Sequence, residues 1–196
     1  MLLENSGWEV EVHPLPEDVF KTQRDTELVH SASAVDAALD SMAQRITSLL
    51  SHAEPLLLCV LTGGIVPCGR LLPRLSFPLD LDYVHATRYQ GGTSGHALEW
   101  RAWPATPLRE RMVLLVDDIF DEGVTLAGIA QRCRAEGVRQ VFSAVLALKR
   151  HDRNKTGMRP DVVGLEVPDR YVFGCGMDYR GYLRNLPAIY AAPAEA

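Results

Sequence analysis

An apolar run that ends in two adjacent acids, with a helical segment shortly after it, constrains the fold of this chain more than any other feature. The run covers residues 113–116 and leads into Asp117 and Asp118. A short apolar run entering a polar turn is typical of a buried parallel strand, and residues 124–136 have the pattern of a helix. Strand, turn and helix in this order predict an α/β fold.

The turn itself has the composition of an anion-binding loop. In open α/β sheets ligands bind beyond the carboxyl ends of strands, where a helix N-terminus offers unpaired N–H groups and a favourable dipole to a phosphate. Gly123 lets the backbone come close to a ligand, and Thr125 adds a hydroxyl donor. Asp117 and Asp118 can accept hydrogen bonds from vicinal sugar hydroxyls. The alternative is a turn that only ends a strand and caps a helix, but the complete order favours a ribose-phosphate site.

Further elements follow from the hydrophobic pattern. Ser33, with Asp36 three residues on, is expected to cap a helix whose apolar residues recur at helical spacing, namely Val35, Leu39, Met42, Ile46, Leu49 and Leu50. A second helix, bounded or interrupted by Pro67 and Pro73, should follow residue 64. Strands are expected at residues 56–61, 79–84, 97–103, 112–116 and 141–148. This alternation implies a mostly parallel sheet.

Three regions are expected to differ from this regular pattern. Leu79, Leu81 and Tyr83 alternate with Asp80, Asp82 and Val84, so the two faces of this strand should differ in polarity. Residues 1–30 are expected to be irregular apart from one short helix, and residues 90–96 are expected to form a mobile loop.

Length, charge and cysteine content limit the class of protein. A chain of 196 residues suits one domain. The formal net charge of −5 provides no global basic field, so no nucleic-acid partner is expected. The four cysteines are widely spaced, which favours reduced thiols over a metal site. No apolar stretch reaches about 20 residues and residues 1–20 lack a secretory pattern, so a cytoplasmic protein without a membrane partner is expected.

Residues 113–126 resemble the phosphoribosyl pyrophosphate signature of the type I phosphoribosyltransferases, and residues 55–190 resemble the hypoxanthine-guanine branch of that family. The resemblance implies a mostly parallel twisted sheet flanked by helices, in one domain covering residues 1–196. A small hood, formed by residues 1–32 and 166–196, would cover the base. The implied reaction is displacement of pyrophosphate from phosphoribosyl pyrophosphate by a 6-oxopurine base, with magnesium, to give a nucleoside monophosphate.

The resemblance also implies roles for individual residues. Asp121 would exchange a proton with a ring nitrogen of the purine as general acid/base. The phosphoribosyl group would be bound by Asp117, Asp118, Asp121, Glu122, Gly123, Val124 and Thr125, and the purine by Lys149, Tyr171, Val172 and Asp178. Pyrophosphate would be bound by Thr62, Gly63 and Arg184, Mg²⁺ by Asp178, Asp117 and Asp118, and the lid would carry Arg88 and Tyr89. Lys149 would select a 6-oxo group by donating to it, and Tyr171 would stack on the base.

Three positions depart from the family pattern. Thr62 stands where the family often has a basic residue, and the family can have a cis peptide between this residue and Gly63. Arg88 stands where serine is usual. Glu122 replaces the common Thr or Ser in the phosphate loop, and it could either repel the phosphate or point outward as a solvated side chain.

The resemblance leaves other functions open. A xanthine- or adenine-preferring phosphoribosyltransferase is one alternative, although a donor at Lys149 argues against adenine. A regulator of the same fold that binds nucleotides or RNA without turnover is another, and retention of Asp121, Lys149 and Asp178 argues against it. A homo-oligomer, either a dimer or a tetramer, is expected.

Overall fold

The computed structural model describes residue 19, residues 26–88 and residues 98–193. Tyr89, the loop expected at residues 90–96 and most of the segment expected to be irregular at residues 1–30 lie outside these ranges. Within them, no helix combines the length and the apolar character that crossing a membrane requires.

The first helix, α1 (Ala32–Leu50), begins slightly earlier than the sequence pattern predicts. Its N-cap is Ser31, whose Oγ accepts a hydrogen bond from the Ala34 N–H at 3.2 Å. The prediction of Ser33 as the cap is therefore wrong, because Ser33 lies inside the first turn. The predicted apolar face is buried, except that Leu49 is 47% exposed. Asp36 faces another element instead of the cap and binds the guanidinium of Arg70.

The central sheet has six strands, and five of them are parallel. The strands are β2 (Leu56–Leu61), β3 (Asp80–Arg88), β4 (Leu98–Ala102), β5 (Met112–Phe120), β6 (Gln140–Lys149) and β7 (Val162–Val167). Their order in the sheet is β4-β3-β2-β5-β6-β7, and β4 pairs antiparallel with β3. This confirms the mostly parallel sheet. Strand β7 was not predicted.

Two helices follow strands of this sheet. Helix α2 (Ile65–Leu71) comes after β2, with Pro67 in its first turn, where a missing N–H breaks no helical bond. A short 3-10 turn, Leu72–Arg74, follows it and contains Pro73. Helix α3 (Val124–Ala135) comes after β5, as predicted to within one residue.

Strand β5 extends four residues beyond its predicted end. Asp117 and Asp118 therefore lie within the strand instead of in the turn that follows it. Asp117 pairs in register with Val145 of β6, so the backbone of the acid pair is held by the sheet. The prediction that the strand stops at residue 116 is wrong because the apolar run continues past the acids to Phe120.

Strand β3 has two faces that differ in burial. Val84 and Ala86 are buried, whereas Leu81 is 53% exposed and Tyr83 is 49% exposed. Strand β3 lies next to the edge of the sheet, with only β4 beyond it.

Apolar cores lie on both faces of the central sheet. Helices α1 and α2 cover one face, where Leu57 and Leu146 are buried. Helix α3 covers the other, where Leu58 and Val145 are buried. Burial on both faces explains why the strands read as nearly continuous apolar runs.

A second, smaller sheet joins segments from both ends of the described chain. It consists of β1 (Glu27–His30), β9 (Ile189–Ala191) and β8 (Val172–Phe173), in the order β1-β9-β8 with antiparallel pairing. Residues 27–30, expected to be irregular, thus form a strand. The pairing places Val172, one of the residues predicted to contact the base, opposite Ala191 of β9.

Candidate active site

Ten of the predicted site residues line one cavity at the carboxyl ends of the central strands. A cavity of about 340 Å³ opens there, lined by residues of β2 and β5, the start of α3 and the segment before β9. Its lining includes Gly63, Arg88, Asp117, Asp118, Asp121, Gly123, Val124, Thr125, Asp178 and Arg184. A larger cavity of about 480 Å³ lies around Asp80 and Arg111, and it contains none of the predicted site residues.

Asp117 and Asp118 form the buried floor of the site. Their exposed fractions are only 9% and 8%. Burial and the negative charge of Asp118 raise the pKa of Asp117 well above its usual range. Burial also raises the pKa of Asp118, although hydrogen bonds to its carboxylate oppose this. Each carboxylate accepts the next backbone N–H in the chain, so one oxygen of each is fixed and the other can accept from a sugar hydroxyl.

The loop after β2 packs directly against this floor. A Cβ atom on Gly63 would lie 1.9 Å from Oδ2 of Asp118, so only glycine fits between the backbone and the carboxylate. Gly176 approaches from the opposite side, where its own Cβ would lie 2.1 Å from the carbonyl oxygen of Gly63. The cis peptide precedes Thr62 and joins it to Leu61, one bond earlier than the position expected from the resemblance.

The phosphate loop turns from β5 into α3 at Gly123. This residue has a φ of +81°, a conformation that favours glycine, and it stands at the N-cap position. No side chain caps the helix, so its first N–H groups are available to a ligand. Val124 and Thr125 follow at the wall of the cavity. This arrangement suits binding of a phosphate dianion at the start of a 12-residue helix.

Glu122 is paired with two cations beside this loop. Its Oε2 lies 2.8 Å from Nη1 of Arg88, and its Oε1 lies 2.8 Å from Nζ of Lys155. Lys155, followed by Arg88, lowers the pKa of Glu122. The side chain is only 17% exposed, so the solvated, outward-facing alternative is wrong. The repulsion alternative needs revision as well, because the carboxylate charge is already balanced by two cations.

Asp121 binds two donors at once. Oδ2 lies 3.0 Å from Nζ of Lys149, and Oδ1 lies 2.5 Å from Nε2 of His151. Burial opposes ionisation of this carboxyl group, but the hydrogen bonds from Lys149 and His151 outweigh burial and lower its pKa. Asp121 is therefore an anion across the neutral pH range, as a group that accepts a proton must be.

A third and smaller cavity, of about 170 Å³, adjoins Asp121. It is lined by Ile119, Lys149, Tyr171, Val172 and Asp178, among others. Tyr171 is 52% exposed and is held at its edge by the ring of Tyr179, with the ring centroids 5.3 Å apart. An exposed aromatic ring, a lysine and a carboxylate around a small cavity suit a flat, polar heterocycle.

Arg184 lines the 340 Å³ cavity and contacts two acidic residues, Asp178 and Asp118. Its Nη2 binds Oδ1 of Asp178 at 2.7 Å, and its Nη1 lies 3.8 Å from Oδ2 of Asp118. The other oxygen of Asp178 accepts the N–H of Gly181 at 2.7 Å. Arg184 is thus positioned to bind an anion next to the acid pair.

Comparison with known proteins identifies the family. A model of the phosphoribosyl transferase domain matches residues 26–180. The chain belongs to the type I phosphoribosyltransferase family. The hypoxanthine-guanine phosphoribosyltransferase of Staphylococcus epidermidis is 32% identical over 143 residues, covering 71% of this chain and 79% of the relative. The hypoxanthine-guanine-xanthine phosphoribosyltransferase of Tritrichomonas foetus is 27% identical over 162 residues, covering 83% and 88%. The chain is a member of the hypoxanthine-guanine branch.

Solved structures agree with this assignment of the fold. A hypoxanthine phosphoribosyltransferase from Staphylococcus aureus has a TM-score of 0.81 to this chain at 24% identity, covering 87% of this chain and 93% of that one. A hypoxanthine-guanine-xanthine phosphoribosyltransferase structure has a TM-score of 0.77 at 25% identity, covering 85% and 96%. The phosphoribosyltransferase fold predicted from the sequence is confirmed.

The structure adds residues to the phosphoribosyltransferase site that the sequence analysis missed. His151 and Lys155 lie in the connection between β6 and β7, and each contacts an acid of the phosphate loop. A histidine two residues after Lys149 was the only signal available for His151, since the folding of this connection back onto the loop was not predicted. Tyr89, the second residue predicted for the lid, lies outside the described residues.

Proposed function

We propose that this phosphoribosyltransferase transfers the 5-phosphoribosyl group from phosphoribosyl pyrophosphate to hypoxanthine or guanine, releasing pyrophosphate and forming IMP or GMP. The observation that carries the proposal is the small cavity in which Lys149, Asp121 and Tyr171 surround space for a flat base. The names of the relatives from Staphylococcus epidermidis and Tritrichomonas foetus support the same substrates.

Lys149 would select the base. An ammonium group can only donate hydrogen bonds, so it favours the 6-oxo group of hypoxanthine or guanine over the 6-amino group of adenine. Its side chain is 14% exposed, so the bond would form away from bulk water and discriminate strongly. Tyr171 would stack on the base, and Val172 would contact its edge through backbone atoms.

Asp121 would accept the proton from a ring nitrogen of the purine. The N–H bond breaks and an O–H bond forms on the carboxylate, while the electron pair of the N–H bond stays on the ring. Another ring nitrogen bonds to the anomeric carbon, and the bond from that carbon to the pyrophosphate oxygen breaks, with its electron pair leaving on pyrophosphate. Such general base catalysis contributes roughly 100- to 10,000-fold. The adjoining cavities would hold base and sugar in line, which lowers the entropic part of the barrier.

The remaining residues would bind the sugar phosphates and the leaving group. Asp117 and Asp118 would accept hydrogen bonds from the ribose hydroxyls. The loop from Glu122 to Thr125 would hold the 5-phosphate through backbone N–H groups. Thr62, Gly63 and Arg184 would bind pyrophosphate. The lid that starts at Arg88 would exclude water from a cationic sugar intermediate.

Magnesium would be held by Asp178, with Asp117 and Asp118 as further candidates. Within the described ranges there is no group of three or more His, Cys, Asp or Glu side chains that could hold a metal by itself. Carboxylates in small number fit Mg²⁺, which commonly takes one or two protein oxygens and completes its shell with water and substrate phosphates. When bound, the ion would supply neutralisation of charge on the departing pyrophosphate.

Two larger-scale features belong to the same proposal. The small sheet formed by β1, β8 and β9 would act as the hood, built from residues 1–32 and 166–196, because it carries Val172 and lies next to Tyr171. A homo-oligomer is supported by Leu81 and Tyr83, two exposed apolar side chains on the same face of β3.

Xanthine is the alternative base with a specific observation in its favour, since it is named among the substrates of the Tritrichomonas foetus relative. The test is Mg²⁺-dependent release of pyrophosphate with hypoxanthine, guanine, xanthine and adenine supplied separately. Turnover with hypoxanthine or guanine, and little or none with adenine, is expected. Turnover restricted to adenine, or binding without release of pyrophosphate, would contradict the proposal, the latter in favour of a regulator.

A further inference from the structure

We propose that His151 is a positioning residue for Asp121, which fixes one carboxylate oxygen and thereby directs the other toward the base. This inference rests on the proposed function, because it assigns the orientation of the proposed proton acceptor. His151 is absent from the set of residues that the family resemblance implies, and it does not line the cavity in which the base would lie. It would therefore act on the reaction only through Asp121.

The two donors on Asp121 differ in how permanent their contacts are. Lys149 lines the base cavity and has three donor hydrogens on a flexible chain, so it can turn toward a bound base. The side chain of His151 is 5% exposed and lies outside the cavity. On binding of a base, Oδ2 of Asp121 can be released by Lys149 while Oδ1 stays bound to His151.

The backbone selects the tautomer that His151 needs for this role. The N–H of Arg153 donates to Nδ1 of the ring at 2.9 Å, so Nδ1 is an acceptor and Nε2 carries the hydrogen. That hydrogen points to Oδ1 of Asp121 at an N–O distance of 2.5 Å. The Arg153 side chain is itself anchored by two 2.6 Å bonds to Asp169, which holds the donor backbone in place.

The consequence is a fixed carboxylate plane. A carboxylate held at one oxygen by a buried, single-hydrogen donor loses its rotation, and only Oδ2 remains to accept a proton from the purine. Misplacement of a catalytic group by about 1 Å can cost about 100-fold in rate. Loss of His151 should therefore lower turnover, with little effect on binding of phosphoribosyl pyrophosphate.

The test compares two substitutions of similar size and shape. In His151→Gln the amide nitrogen takes the place of Nε2 and still donates, whereas in His151→Met no donor remains. We expect His151→Met to lower kcat by about 10- to 100-fold with the KM for phosphoribosyl pyrophosphate nearly unchanged, and His151→Gln to recover most of that loss. His52→Met, at an exposed histidine, is the matched control and should leave kcat unchanged. Equal losses in the Gln and Met variants, or no loss in Met, would overturn the proposal.

A double-mutant cycle asks whether His151 acts through Asp121. Adding His151→Met to Asp121→Asn should cost nothing further in kcat, whereas an independent contribution would multiply the two losses and contradict the inference. If the Met variant does not fold, His151→Asn serves instead, because its shorter side chain cannot reach Oδ1 of Asp121.

A spectroscopic measurement separates this inference from the proposed function. In protein labelled with ¹⁵N-histidine, the ring of His151, assigned by the loss of its signal in a His151 variant, should show the Nε2–H tautomer. The Nδ1–H tautomer, or fast exchange between both, would overturn the role of His151 whatever the turnover. Failure of the wild-type protein to release pyrophosphate with any base would instead overturn the proposed function.

Discussion

The guanidinium of Arg88 lies 2.8 Å from the carboxylate of Glu122, so two of the three departures from the family pattern are in contact with each other. Hydroxyl side chains are common at both positions in the family, whereas this chain has an ion pair that connects the end of β3 to the loop before α3. Lys155 joins the same carboxylate and leaves the cluster with a net positive charge beside the phosphate site. Because Arg88 and Glu122 contact each other, the charge introduced at one position compensates for the charge introduced at the other.

Glu122→Thr should tighten binding of phosphoribosyl pyrophosphate by about twofold to fivefold at low salt, and the gain should shrink as salt rises. The reason is that Arg88 and Lys155 lose their counterion next to a phosphate dianion. The comparison is Glu122→Thr in a chain that also carries Arg88→Met and Lys155→Met. If release of the cations is the cause, that background abolishes the gain, whereas simple repulsion by Glu122 would preserve it.

Asp121→Asn should lower turnover by at least about 100-fold while much of the ligand affinity remains, because the amide keeps the shape but cannot accept the proton. Steady-state kinetics and titration with phosphoribosyl pyrophosphate measure the two quantities. Asp152→Asn, at an exposed carboxylate, controls for the change of charge. Turnover close to wild type in a folded Asp121→Asn variant would exclude Asp121 as the base.

Lys149→Met should weaken the use of hypoxanthine and guanine by roughly 1.5–3 kcal/mol, the range of a charge-assisted hydrogen bond. Binding of phosphoribosyl pyrophosphate should change less. Arg150→Met removes a neighbouring cation whose side chain is 72% exposed, and it should have little effect on either substrate. Equal losses for base and phosphoribosyl pyrophosphate in Lys149→Met would argue against specific recognition of the base.

Gly63→Ala should destabilise the protein by about 1–3 kcal/mol and weaken binding of phosphoribosyl pyrophosphate, because the new Cβ would displace the carboxylate of Asp118. That carboxylate cannot move freely, since its Oδ1 accepts the N–H of Ile119. Gly69→Ala is the control in helix α2. Nothing lies within 4 Å of its added Cβ, so a gain of about 0.5–1 kcal/mol is expected from helix propensity. Thermal unfolding measures both, and a stable, active Gly63→Ala variant would show that the loop yields.

The acid side of the pH profile should move to higher pH in Lys149→Met and His151→Met. Both donors lower the pKa of Asp121 in the folded protein, so the carboxylate is formed above that lowered pKa and activity is lost as the pH falls through it. Removing a donor raises the pKa and moves the loss upward. The dependence of kcat/KM on pH reports this for the free enzyme. An acid limb at the same pH in wild type and both variants would exclude Asp121 as its source.

The regular elements of the central sheet could be predicted because burial on both faces leaves a continuous apolar pattern. Strand β2 was predicted with the observed bounds, and α3 to within one residue. The end of β5 could not be predicted in the same way. Sequence pattern assigns a polar pair such as Asp117 and Asp118 to a turn, whereas in the fold their backbones belong to the sheet and their carboxylates to the site.

Site residues could be predicted where their role depends on a position at, or directly after, the end of a strand. Asp121 and Lys149 are of this kind, and the structure brings them into contact. The partners His151 and Lys155 were missed because their positions depend on how the connection after β6 folds back, and no local pattern encodes that. The same limit applied to Glu122, whose environment is set by residues distant in sequence.

The pairing of β1 and β8 with β9 has a consequence for synthesis of the chain. Strand β9, near the end of the described chain, lies between the first strand and the strand that carries Val172, and it pairs with both. On the ribosome, the phosphate loop and the buried acids can therefore take shape while the base cavity still lacks its supporting sheet. A chain that ends before residue 189 should therefore bind the sugar phosphate but fail to retain a purine.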